Sequence, residues 1–130
     1  MSQQAYVFRA ALDDDPDVSR TVAVSADATL ADLHDVLHHA FEWHGDFPYS
    51  FRLDDGREYA ATPGDAAEVA LARLGLEPGR PVEHVVDGPE EWRFALALLD
   101  VRVDDEPLPR VLERRGEIAL EPEVELGAGD

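Results

Sequence analysis

Apolar residues along this chain repeat at two spacings, and the spacing changes from one stretch to the next. Leu30, Leu33, Leu37 and Phe41 recur at i, i+3, i+7 and i+11. At about 100° per residue they share one narrow arc, which predicts an amphipathic helix over residues 30–43. Thr29 marks its start: the hydroxyl can accept from the Asp32 amide while the Asp32 carboxylate reaches back, a capping box with negative charge at the positive end of the helix. The other segments alternate. Tyr6, Phe8, Ala10 and Leu12 share one face of a strand that ends at the acidic turn Asp13-Asp-Asp-Pro-Asp17. Val18, Val22 and Val24 share a phase of two, so residues 18–25 are expected to pair antiparallel with that strand.

Beyond the helix, Trp43-His-Gly-Asp-Phe-Pro48 breaks the periodicity, and Tyr49, Phe51 and Leu53 resume alternation. Asp54-Asp-Gly56 supplies the positive φ of a tight hairpin before Arg57-Glu-Tyr59. Residues 60–68 read as an exposed loop, and Val69–Leu76 as a helix of about one or two turns stopped at Gly75. Val82–Val86 and Trp92–Val103 read as strands. In the second, Trp92, Phe94, Leu96 and Leu98 share a face, and its unusual length predicts a bulge at Leu99-Asp100. Leu108–Leu112 and Ile118–Leu120 form a last extended segment, and residues 122–130 a frayed tail. The expectation is one α+β domain over residues 1–130 with an ordered core near 5–121. Its single mixed or antiparallel sheet has roughly five to seven strands, and one main helix packs on one face.

Four of the five histidines, His34, His38, His39 and His44, lie between residues 34 and 44. His34 and His38 are i, i+4 neighbours, a spacing at which two imidazoles on one helix can share a cation, with Glu42, His44 or Asp46 as a third ligand. The plainer reading, which is preferred, makes His34 a core-edge histidine bonded to backbone or an acid, with His39 on the opposite side of the helix. Trp43, Phe47, Tyr49 and Trp92 either close one end of the core or line a groove. If the helix packs across the sheet, its end and the turn at Asp87 come together. The candidate binding residues are then His34, Trp43, His44, Asp46, Tyr49, Asp87 and Trp92.

Carboxylate pairs such as Asp54-Asp55 and Glu90-Glu91 are too frequent here to signal acid–base catalysis. No Gly-x-Ser-x-Gly, phosphate loop or serine, histidine and acid arrangement is present, so no catalytic residue and no cofactor are expected. The leading reading is a small non-catalytic interaction module that binds a protein or peptide, with a sheet edge as one route. The rival is a metal-dependent enzyme that uses the His34, His38 and His44 cluster.

Several stretches resemble the plasmid pRiA4b ORF-3-like family. Pro16-Asp-Val-Ser-Arg20 is similar to its Pro-x-Ile-Trp-Arg, with Ser19 where Trp is usual. Leu30-Ala-Asp-Leu-His34 through Ala40-Phe-Glu-Trp43 resembles its Leu-x-x-Leu-His helix ending in Phe-Gly-Trp. Val86-Asp-Gly-Pro-Glu-Glu-Trp92 resembles its Tyr-Asp-Phe-Gly-Asp-x-Trp turn, and Pro109-Arg-Val-Leu-Glu-Arg-Arg-Gly116 its Pro-Arg-x-x-x-x-x-Gly stretch. Where the family often carries a histidine pair, this chain has Asp46-Phe-Pro-Tyr49. The resemblance implies a sheet with helices on one side, opening strand-strand-helix-strand in β-grasp-like order, and brings no established reaction. Because relatives occur on plasmids and mobile elements, it also implies a third reading, an accessory protein of such an element.

Composition changes the picture in one respect. Among 130 residues there are 29 Asp plus Glu against 11 cations, every one of them Arg, for a net charge of −18. With 45% hydrophobic residues in periodic patterns, the chain reads as a packed core under an acidic shell rather than as a disordered segment. Lysine-free acidic surfaces resemble those of cytoplasmic proteins from extreme halophiles, with salt ions as surface partners. Such a surface repels phosphate backbones, which disfavours nucleic acid. Absence of cysteine excludes disulfides, zinc ribbons and thiol catalysis. The N-terminus lacks a basic and apolar leader, and no apolar run approaches the roughly 20 residues of a bilayer span, so a cytoplasmic setting without membrane contact is expected. Salt shortens charge repulsion from about 10 Å at 0.1 M to about 3 Å at 1 M. Thermal melts should therefore show stability rising steeply between about 0.1 M and 2 M salt; a melting temperature indifferent to salt would remove the halophile reading.

Overall fold

A computed structural model describes residues 3–42, 47–60, 65–87 and 91–116. Two long strands, β1 (Gln3–Leu12) and β2 (Asp15–Ser25), form the opening hairpin and lead into helix α1 (Leu30–Phe41). Strands β3 (Tyr49–Leu53) and β4 (Glu58–Ala60) follow, then two 3₁₀ turns at Asp65–Ala67 and Leu71–Arg73, and then β5 (Val82–Asp87), β6 (Glu91–Asp104) and β7 (Arg110–Arg115). All seven strands belong to one sheet, in the order β4-β3-β5-β6-β1-β2-β7, with every neighbouring pair antiparallel.

This corrects the expected fold class. Among the described residues the fold is mainly β, with one α-helix against seven strands, rather than a balanced α+β domain. Helical periodicity is sustained only over residues 30–41, and the long apolar runs elsewhere alternate with a period of two. The β-grasp-like opening holds in element order only, because β3 pairs with β4 and β5 and is separated from β1 by β5 and β6. The short helix expected at Val69–Leu76 contracts to the 3₁₀ turn Leu71–Arg73. Its amides are taken by the lead-in to α1: Leu71 donates to the Ala28 carbonyl at 2.7 Å and Ala72 to that of Ala26 at 3.1 Å. Ala66, in the stretch expected to be an exposed loop, is buried in the core.

Alternation explains the core. Tyr6, Phe8 and Ala10 of β1, Val18, Val22 and Val24 of β2, and Trp92, Phe94, Leu96 and Leu98 of β6 turn one face of the sheet toward α1. The bulge falls where expected: Phe8 faces Leu98 while Val7 faces Asp100, which leaves Leu99 out of the ladder and 50% exposed. An unbroken phase would have pointed Asp100 and Arg102 into the core. The extra residue instead sets Val101 opposite Tyr6, on the apolar side.

Helix α1 starts at the expected capping box, with the Thr29 amide donating to Asp32 Oδ2 at 3.0 Å and the Asp32 amide donating to Thr29 Oγ1 at 3.1 Å. It buries Leu30, Leu33, His34, Leu37, Ala40 and Phe41. Its other end is held by Arg20 of β2, whose side chain is only 4% exposed. Arg20 Nε donates to the Ala40 carbonyl at 2.9 Å, and Nη1 to the carbonyls of Ser19 at 2.7 Å and Arg115 at 2.9 Å. The guanidinium also lies 4.8 Å above the Phe41 ring. Arg114 Nη1 donates to the same Ala40 oxygen at 2.7 Å, and Glu42 closes the helix in the left-handed region at φ 60°.

Two outcomes follow from this core. Leu37→Ala and Phe41→Ala should each cost about 2–5 kcal/mol in denaturant unfolding, and the exposed His39→Ala under about 0.5 kcal/mol; equal losses would contradict the helix register. Arg20→Ala removes donors from buried carbonyls worth about 1–3 kcal/mol each and should lower stability by roughly 2–4 kcal/mol, with Arg20→Lys recovering less than half because it lacks the fork.

Candidate functional site

The sheet register lines up two rows of side chains beneath α1. Tyr49, Val86 and Trp92 are cross-strand neighbours on β3, β5 and β6, and Phe51, His84 and Phe94 form the next row. Both rows exist because β3, β5 and β6 alternate in the same phase. His34 of α1 comes down between them. Its ring stacks on Tyr49 at 3.6 Å between centroids and 8° between planes, and meets His84 edge-on at 5.2 Å and 85°. His84 in turn stacks on Phe51 at 4.1 Å and 4°. His34 Nδ1 and His84 Nε2 stand 3.1 Å apart, with the two side chains 6% and 0% exposed.

A bond between two imidazoles holds one proton, so one of these nitrogens donates and the other accepts. Burial, and after it the neighbouring His34, holds His84 well below the ordinary histidine value of 6.5. Tyr49 is pushed the other way: burial first, then the charges of Asp35 and Asp32, raise its phenol and keep it neutral. The cluster is thus two imidazoles and a phenol in an aromatic setting, suited to holding a helix in place.

Of the residues predicted from sequence, His34 and Tyr49 are brought together directly. Trp92 is buried one residue further along the Tyr49 row and meets the Phe47 ring edge-on at 6.0 Å. Asp87 is exposed at the end of β5, where its amide donates to the Pro48 carbonyl at 2.8 Å. Trp43, His44 and Asp46 lie outside the described residues. His38 is half-buried with its ring 6.1 Å from that of His34, and His39 is exposed. Among the described residues, no group of three His, Cys, Asp or Glu is arranged to hold a metal ion. His84 was missed, although its phase with Val82 and Val86 puts it on the core face.

A second feature escaped the sequence reading altogether. Between α1 and the stretch Leu108–Val111 runs a groove made of two hollows of about 420 Å³ and 250 Å³ that share Asp35, Val36 and Pro109. Val24, Ala28, Val36, Leu108, Pro109 and Val111 supply its apolar surface; Asp27, Asp32 and Asp35 edge one end, His39 and Arg110 the other. Asp104 fixes the far wall. It accepts from Arg110 at 3.0 Å and from the Glu106 amide at 2.9 Å, contacts that hold its carboxyl below the usual range.

Fold and site together define a small antiparallel-sheet protein with one helix laid across a single face and a groove along that helix. A family model described as plasmid pRiA4b ORF-3-like protein matches residues 4–124, and the chain belongs to this family. The crystal structure of a protein of unknown function from Methanosarcina mazei Go1 shares the fold: TM-score 0.71 at 14% identity, over 86% of this chain and 69% of that one. No curated protein matches. Among the described residues, no helix is long and apolar enough to cross a membrane.

Proposed function

We propose that this chain is a non-catalytic interaction module that captures a segment of a partner protein in the groove between α1 and Leu108–Val111. The observation that carries this reading is the groove itself: an open apolar surface within the size range of ligand sites, walled by a capped helix and an ion-paired connection. The occupant is a peptide segment with an aliphatic or aromatic anchor flanked by Lys or Arg, the charge that complements Asp27, Asp32 and Asp35 on the rim. A salt-rich cytoplasm suits the arginine-only, strongly acidic composition. There the apolar anchor provides most of the affinity and the rim charges orient the segment, since salt screens them.

The test is a random peptide library selected against the native protein in strong salt, with the recovered peptides titrated calorimetrically. Peptides of the stated pattern should bind, and Val36→Arg should weaken them at least roughly tenfold at a temperature where its own melting curve shows it folded, since Val36 also packs against the core. Leu99→Arg, on the exposed bulge away from the groove, serves as the control. Failure to recover any peptide, or equal loss with both variants, would overturn the reading.

A further inference from the structure

We propose that the His34–His84 pair is an acid-sensitive latch that holds α1 on the sheet. The argument rests on where the two rings lie and how many protons fit between them. His84 is fully buried on β5, His34 nearly so on α1, and their facing nitrogens are 3.1 Å apart. This bond joins the middle of α1 to β5, whereas the C-terminal anchors Arg20 and Arg114 come from β2 and β7.

The neutral pair is complete with one proton on the bond. One further proton can be added without breaking it: an imidazolium on one ring still donates to the neutral nitrogen of the other. A second added proton cannot be accommodated, because both facing nitrogens would then carry N–H and two charges would sit side by side in the core.

The surroundings decide which ring charges first. On α1, Asp32 and Asp35 act electrostatically on Tyr49, which stacks on His34, so their charge favours a proton on the His34 side. The half-buried His38 ring stands 6.1 Å from that of His34 on the same helix. Tyr49 on β3 stays neutral. Phe51 on β3 and Phe94 on β6 surround His84 with apolar rings that give a second charge no solvation.

The sign follows from linkage. When α1 lifts, both imidazoles reach water and titrate near 6.5; while it is docked, the pair takes at most one proton. The docked state is therefore fully favoured above about pH 6.5 and loses ground as pH falls below it, at roughly tenfold per pH unit for each proton that only the open state can take up. Because α1 supplies Asp32, Asp35, Val36 and His39 to the groove, opening the latch also dismantles that wall. The latch itself stands whether or not the groove binds a peptide.

Backbone hydrogen exchange of the native protein between pH 7.5 and 5.0, corrected for intrinsic rates and run in strong salt with a chelator present, tests this directly. Protection of α1 amides relative to those of β1 and β6 should fall roughly tenfold per pH unit below about pH 6.5, and His34→Leu combined with His84→Phe should abolish that fall. An equal fall in the double variant, or none in the native protein, would overturn the proposal. So would a pH response seen only without chelator, which would mean a bound metal. If the double variant does not fold, imidazole nitrogen shifts in the native protein decide: His84 should stay neutral until α1 loses protection, and ordinary titration of both rings with α1 still protected would refute the latch.

Discussion

A guanidinium buried under the end of a helix is the constraint on which the arrangement depends. Arg20 cannot lose its charge, and its place in the core is supported by the carbonyl oxygens of Ala40, Ser19 and Arg115. The Ala40 oxygen belongs to the last turn of α1, where the helix dipole is negative, and a second arginine, Arg114, donates to it from β7. One cation thereby ties together the helix terminus, its own strand and the edge strand. Moving α1 by even a turn would take the Ala40 acceptor away from this buried guanidinium, a loss larger than a single apolar contact returns.

This anchor and the His34–His84 bond are unlike in kind. The first carries a permanent charge and fixes the C-terminal end of α1; the second is neutral, lies near the middle of the helix and faces β5. Between them they set both the position and the roll of the helix. Its remaining flank, with Asp32, Asp35, Val36 and His39, is left to form the groove with Leu108–Val111. The groove is thus a consequence of how α1 is seated: a helix held from β2, β7 and β5 cannot also fill the space beside the β6–β7 connection.

Much of this was legible in the alternation alone. The strands, the hairpin at Asp54-Asp-Gly56, the capping box at Thr29 and the bulge at Leu99 all depend on local spacing or local side-chain chemistry, which a sequence displays directly. What was not legible depends on pairing across the sheet. The register that sets His84 between Phe51 and Phe94 involves three strands distant in sequence, and so the partner of His34 was sought in its own helix rather than in β5. The Val69–Leu76 stretch was misjudged for a similar reason: its helical look was local, whereas its amides bond to residues 26–28. The groove has no sequence signature, because its two walls, α1 and the Leu108–Val111 stretch, lie far apart along the chain.

The acidic shell gives these buried links their importance. The surface has many ion pairs, among them Arg57 with Asp55 at 2.8 Å, Arg80 with Asp54 at 2.7 Å and Arg93 with Glu91 at 2.7 Å, but each is substantially exposed. Exposed pairs contribute little in dilute buffer and less in strong salt, where the screening length is only about 3 Å at 1 M. The same salt relieves the repulsion among the excess carboxylates, so it removes a cost and a benefit together. Bonds inside the core are affected by neither, since counterions do not enter there. The specificity of the fold therefore rests on polar contacts sealed from solvent: Arg20 at the helix end, and the imidazole pair beneath its middle. Of these only the imidazoles can change charge near neutrality, so protons, rather than salt, have direct access to the seating of α1.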